Sequence, residues 1–209
     1  MVAPSIAYDN SRPNTAIAVL GDGPIRSAKD LNGKTMGILS LQGILALFAK
    51  VWLDKNGGDS RQVQLIELAP PEMLAAMQRG TVAAALMVDP FYTSALSQIR
   101  VLGYPEGSVG DRHVSTAWFA LNSWADQNPA ETKAFAQIVS EAGRWANDPA
   151  NVARATAIVA KNLGQPVDLG KTTWATAWDS ATMQPILTEA YRYKFLSKPM
   201  AVSEIIWMG

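Results

Sequence analysis

Between residues 15 and 103, short and nearly unbroken apolar runs alternate with stretches whose apolar positions recur every three or four residues. These are the signatures of buried strands and of helices with one packed face. Thr15–Leu20 (TAIAVL) predicts a strand, closed by the turn Gly21-Asp22-Gly23-Pro24. Ser27 to Gly33 predicts a single helical turn, with Ser27 as N-cap and Gly33 as the stop. A strand follows over 35–39, and Ser40 is expected to cap a helix over 41–56 that Gly57-Gly58 ends. On that helix Leu41, Leu45, Phe48, Ala49 and Trp52 share one face. Further strands are expected over 63–68, 82–87 and from Arg100, and Pro70-Pro71 and Asp89-Pro90 each open a helix. Apolar strands alternating with helices predict an α/β lobe on a parallel sheet covered on both faces.

The pattern changes after Gly110. A long strand is predicted over 114–122 (VSTAWFALN), and helices dominate beyond it. One runs from Asn128-Pro129 to about Asn147, and another from Asp148-Pro149 to Leu163, stopped by Gly164. A third is expected after an Asp168 cap, a fourth over 181–195, and a last turn over 203–208. The organisation expected is 1–21 as hinge and remnant of lobe one, 22–112 as lobe two, and 113–209 as return strand and C-terminal helices of lobe one. Helices of this pattern cover a sheet, and one strand does not supply it. The helical part is therefore expected to expose an apolar face, and the chain to begin partway through a longer architecture.

Composition narrows the chemistry. Eighteen basic and eighteen acidic residues among 209 give zero net charge, against a nucleic-acid binder that works by neutralising phosphates. There is no cysteine, which excludes disulfides, thiolate catalysis and Cys-ligated metals, and the single histidine, His113, excludes a multi-histidine metal site. No cofactor is expected. The opening residues show neither a basic n-region nor a cleavage site, so the chain is expected not to be a precursor carrying its signal peptide. No apolar run reaches the roughly 18 residues of a membrane span. Nucleotide-loop, nucleophile-elbow and zinc-protease motifs are missing, so no enzyme is expected.

In an open parallel sheet, ligands bind outside the carboxyl ends of the strands. Three such ends are 39–43, 68–72 and 87–92. At the first, Ser40, Leu41, Gln42 and Gly43 precede a long helix whose outward backbone N–H groups form an anion site; the plainer reading is that Ser40 only caps it. Asp89 is either a helix cap or a rim carboxylate for a ligand amine. Trp118 either packs or stacks on a ligand. His113 has no catalytic partner in view and reads as structural.

Several stretches resemble a known family. Residues 24–37 (PIRSAKDLNGKTMG) are similar to the "SPIKSxxDLKGKxVG" entry into the second lobe of ABC-importer solute-binding proteins of the nitrate, sulfonate and taurine group (SsuA/NMT1/THI5-like). Residues 52–57 resemble "WLEKNGLD", 82–91 "VDAAVVWEPF", 144–149 "A..WA.ENP" and 198–202 "KPVxV", all in the family's order. The resemblance implies a type-2 periplasmic-binding architecture: two α/β lobes, hinge strands, and a ligand held by hinge closure. It implies that residues 40–43 form the ligand-facing loop, with Asp89 where the family has Glu or Asp before Pro. Val88 replaces a frequent Trp and Ala83 a usual Asp, so ligand class does not carry over. The family's first strand–helix units have no match, and residues 2–5 resemble their tail.

The expectation is thus a periplasmic ABC-importer binding component for a small anion or zwitterion: a sulfonate, nitrate, taurine or pyrimidine precursor. Its partners would be a membrane permease and, through the exposed face, a second copy or a swapped segment. The alternatives are an effector-sensing domain of a LysR-type regulator, which the length suits, and a THI5-like pyrimidine synthase. Against the first stands the absence of an N-terminal helix-turn-helix; against the second, the absence of that family's cysteine-rich motif.

Overall fold

The computed structural model of the chain describes residues 1–164 and 167–209. These divide into two compact units. One comprises Met1–Asp9, Arg112–Thr188 and Lys198–Gly209, and the other Asn10–Asp111 with Glu189–Ser197.

The first unit begins with β1 (Ala3–Pro4) and β2 (Ile6–Asp9). The second contains β3 (Thr15–Leu20), β4 (Thr35–Ile38), α1 (Ile44–Lys55), β5 (Gln64–Glu67), α2 (Met73–Gln78), β6 (Ala84–Val88), α3 (Phe91–Ala95) and β7 (Ile99–Gly103). Its five strands form one sheet in the order β5-β4-β6-β3-β7. β4 is parallel to β5 and to β6, as the alternation predicts. β3, however, runs antiparallel to both neighbours, so the sheet is mixed rather than wholly parallel. Apolar patterning records burial on both faces and carries no information about strand direction, which is why the sequence missed this.

Successive side chains on a strand point to opposite faces, and the core follows that rule. Ile17, Val19, Ala84 and Leu86 pack with Ala46, Ala49, Trp52 and Leu53 of α1. Ala16, Ala18, Ala85 and Met87 pack with Met73, Ala76 and Met77 of α2 and with Tyr92 and Ala95 of α3. Trp52 lies so close to Gly103 that a Cβ there would meet its indole ring. The Ser27 turn forms as expected: Asp30 accepts from the Ser27 backbone N–H at 3.0 Å, and Gly33 takes φ 73°. The Arg100 guanidinium donates to the carbonyls of Gly21, Gly23 and Ile25, fixing the turn that follows β3.

The first unit continues with β8 (Arg112–Val114), β9 (Ala117–Trp118), α4 (Asn122–Gln127), α5 (Pro129–Asn147), α6 (Val152–Leu163), β10 (Thr173–Trp174) and α7 (Ser180–Arg192), which spans the division. Its strands form a pair, β1-β9, and a three-stranded sheet, β10-β2-β8, all antiparallel. The long strand expected over 114–122 is broken into β8 and β9 where Ser115 N–H and Thr116 N–H both donate to Ile6 C=O, at 2.8 and 3.2 Å, while Ile6 N–H donates to the Thr116 hydroxyl at 3.0 Å; it ends at Trp118 rather than 122. No helix follows Asp168. Its carboxylate accepts from Gly170 N–H at 2.8 Å and closes a turn leading into β10. α5 has the bounds expected, while α6 starts at Val152, after a separate 3-10 turn over Pro149–Asn151 that Asp148 caps, and Gly164 ends it at φ 69° as expected.

The expected apolar face is present in this unit. Phe119 and Leu121 are 84% and 77% exposed, and Phe135, Ile138, Trp145 and Ile158 are also open to solvent. Trp118, Ala142, Trp145, Ile158 and Trp174 line an apolar cavity of about 270 Å³.

Leu86→Ala, at a fully buried point facing α1, should cost about 3 kcal/mol, read as a lower urea midpoint by far-UV circular dichroism. Ser97→Ala on the surface should stay within about 0.5 kcal/mol. A hydrophobic dye should fluoresce on the native chain, and Phe119→Ser with Leu121→Ser should reduce that signal at unchanged far-UV dichroism.

Candidate functional site

Because β6 and β7 both run antiparallel to β3, β7 shares the direction of β4, β5 and β6. Four carboxyl ends therefore collect at one edge of the sheet. Glu67 closes β5, residues 39–43 follow β4, Asp89 follows β6, and Tyr104 and Glu106 follow β7. The first residue of β3, Thr15, lies there too, opposite Val88.

Ser40, Leu41, Gln42 and Gly43 form a turn rather than the start of the helix. Gly43 N–H donates to Ser40 C=O at 3.4 Å, and α1 begins at Ile44 with Gly43, not Ser40, at its cap. The expected Ser40 cap is corrected on that ground: the turn is closed first, and the extended Gly43 backbone (φ −87°, ψ 163°) then starts the helix. No side chain caps α1; Ala46 N–H donates to Gly43 C=O at 3.1 Å, which leaves the Ile44 and Leu45 amides for solvent or a ligand. Leu41 and Gln42 are exposed, and Ser40 is half-buried.

One donor of the turn is already engaged. Leu41 N–H donates to Glu67 Oε1 at 2.8 Å. Glu67 reaches it because β5 pairs in parallel with β4, with Glu67 opposite Ile38. A carboxylate of the protein thus holds an amide in the manner a ligand oxyanion would.

Asp89 is also engaged. Its Oδ1 accepts from Thr93 N–H at 3.0 Å and from the Thr93 hydroxyl, while its own N–H donates to Asn14 C=O at 2.9 Å. It stabilises the start of α3, which begins at Phe91 after a cis Asp89-Pro90 bond. Trp118 belongs to the other unit. It is 50% exposed on β9 and meets Phe135 edge-on, with ring centroids 5.6 Å apart. The structure therefore brings the 40–43 turn and Asp89 to one sheet edge, whereas Trp118 lies in a separate unit. His113 is buried on β8 and stacked on Tyr8 across the ladder, 5.0 Å between centroids.

Three residues of this edge were missed by sequence reasoning. Glu67 was legible in principle, as the acidic residue one place before the end of the VQLIEL run that Ala-Pro-Pro follows. Glu106, 4% exposed, accepts from the Thr15 hydroxyl at 2.8 Å, a contact across 91 residues that no local pattern announces. Tyr104 sets its hydroxyl 3.4 Å from that of Tyr92. Burial first, and that hydrogen bond second, push the Tyr92 phenol up to about 12.

The two-unit α/β architecture with this mixed sheet is that of the periplasmic-binding proteins. The alkanesulfonate-binding protein SsuA from Xanthomonas axonopodis pv. citri, solved bound to MOPS, superposes with a TM-score of 0.70, covering 98% of this chain and 73% of that one at 18% identity. Residues 18–160 match the NMT1-like family, and the chain belongs to it. It is 32% identical over 120 residues to the nitrate/nitrite binding protein NrtA of Synechococcus elongatus, covering 56% of this chain and 27% of that one. It is 28% identical over 144 residues to the taurine-binding periplasmic protein of Escherichia coli, covering 62% of this chain and 43% of that one. The chain thus spans less than half the length of these curated relatives.

Tyr92 is neutral in the fold well above the ordinary 10 of a tyrosine. Its raised value contributes stability that is fully present below pH about 10 and lost as pH rises towards about 12. Thermal melts should show a flat midpoint up to pH about 10 and a fall beyond it, and Tyr92→Phe should make that fall shallower.

Proposed function

We propose that this chain is the solute-binding component, or a part of one, of an ABC importer, and that it captures a small anionic or zwitterionic solute of the sulfonate, nitrate, taurine or pyrimidine-precursor class. The observation that carries the reading is the 40–43 turn ahead of a helix without a side-chain cap, at the carboxyl edge of the sheet. Outward amides of α1 attract an anion through the helix dipole, and the Ser40 hydroxyl and Gln42 amide add donors. In this reading Glu67 keeps Leu41 N–H until the solute replaces it, Asp89 meets a ligand amine at the rim, and Trp118 is the proposed aromatic contact for the solute. No bond is made or broken; the work is capture and release.

The relatives support this reading over the effector-sensing and pyrimidine-synthase alternatives, since those described above are named as binding proteins. A membrane permease is the proposed partner and the periplasm the proposed location. Among the described residues no helix is long and apolar enough to cross a membrane. The apolar face of the first unit is proposed to be covered by a second copy or a swapped segment.

Thermal-shift titration with nitrate, ethanesulfonate, taurine and a pyrimidine tests the reading. A ligand at 100 times its dissociation constant adds about 2.7 kcal/mol, so a clear rise in midpoint is expected for at least one. Ser40→Ala with Gln42→Ala should weaken that ligand about tenfold. Glu67→Gln, which removes the competing charge, should tighten an anionic ligand several-fold. No shift with any member of the panel would remove the proposal.

A further inference from the structure

A second cluster of charge lies at the opposite end of α1 from the 40–43 turn, inside the same unit. Lys50, Arg61, Arg192 and Lys194 line a cavity of about 360 Å³ together with Asp54, Ser60 and Tyr193. That volume lies in the range of small-molecule pockets and exceeds that of a bare oxyanion. From Ile44 to Asp54 the helix rises about 15 Å at 1.5 Å per residue, so this cavity is separate from the candidate solute site.

The carboxylate of Asp54 is committed to the protein. Asp54 accepts from Ser60 N–H at 2.7 Å, from the Ser60 hydroxyl at 3.0 Å and from the Tyr193 hydroxyl at 2.7 Å. Arg61 forks onto Asp59, and Arg192 reaches Glu189 at 3.4 Å. Among the described residues no carboxylate pairs with Lys50 or Lys194; Lys50 lies 5.4 Å above the Phe195 ring. Four cations against Asp54, Asp59 and Glu189 leave the cluster positive in a chain whose net charge is zero.

Lys194 supplies the second observation. It closes α7 at φ 63°, where Phe195 N–H and Leu196 N–H return to Ala190 C=O at 2.8 and 3.1 Å. This is the left-handed stop that glycine makes without strain, and Gly57 and Gly164 end α1 and α6 in that way. A lysine held there bears a conformational cost that helix termination does not explain. Its ammonium is what the position gains over glycine.

We propose that this cavity is an anion site distinct from the solute site, and that it takes a phosphate-bearing small molecule. Lys50 and Lys194 meet the phosphate oxygens, and the exposed Arg61 fork swings from Asp59 to add a bidentate contact. The proposal is independent of the transport reading and stands or falls without it.

Calorimetric titration of the full chain with inorganic phosphate and with phenyl phosphate, at low ionic strength, tests it. Binding of at least one is expected, falling steeply with added sodium chloride. Equal affinity for both assigns recognition to the phosphate group alone, and tighter binding of phenyl phosphate assigns a phosphorylated organic ligand. Lys194→Gly should raise the thermal midpoint, by relieving the left-handed strain, yet weaken phosphate at least fivefold; Lys50→Gln should weaken it comparably. Ser40→Ala should leave phosphate binding unchanged. No binding of either compound overturns the proposal. So does unaltered affinity in Lys194→Gly, or loss of binding in Ser40→Ala, which would move the phosphate to the solute site.

Discussion

In the second unit β3 and β6 present apolar side chains to both faces of the sheet, so neither strand leaves water until α1 lies on one side and α2 with α3 on the other. Small residues make this packing close. Ala16, Ala18, Ala84 and Ala85 let the helices approach, while Leu86, Met87 and Trp52 fill the remaining space. At about 25 cal/mol per Å² of buried apolar surface, such a two-sided core is the main source of this unit's stability. Every position discussed in it inherits its place from that layering.

The same layering explains where polar chemistry collects. The helices cover the faces of the sheet, so the polar side chains of the candidate site stand at the ends of strands, and four strands end at one edge. Carboxylates at that edge are not idle: Glu67 takes the Leu41 amide, Asp89 the Thr93 amide, and Glu106 the Thr15 hydroxyl. In the proposed reading, an arriving anion exchanges with a carboxylate already on an amide rather than entering an empty cradle. Charge-assisted hydrogen bonds are roughly twice as strong as neutral ones, so Glu67 holds the Leu41 amide more firmly than a neutral acceptor would.

The first unit is under the opposite constraint. Its strands make sheets of only two and three members, and α5 and α6 leave Phe135, Ile138 and Ile158 in water. Small antiparallel ladders have little face with which to cover amphipathic helices. That shortage is visible in the sequence as helices outnumbering strands beyond residue 122, and in the structure as an apolar surface and cavity around Trp118, Trp145 and Trp174.

The sequence by itself determined the elements that local chemistry controls. The Ser27 turn, the stops at Gly33 and Gly164 and the proline-led start of α5 all follow from caps, φ freedom and apolar period. It also placed the 40–43 turn and Asp89 at strand ends on one sheet edge. What only the tertiary structure decided are the relations between distant residues. These include the direction of β3 between β6 and β7, the breaking of the 114–122 strand at Thr116, and the arrival of Glu67 at Leu41 and Glu106 at Thr15. The reason is one of range. A cap or a helical period is settled by neighbours within about four residues, whereas strand direction and cross-strand hydrogen bonds depend on partners 26 to 110 residues away that no local pattern names.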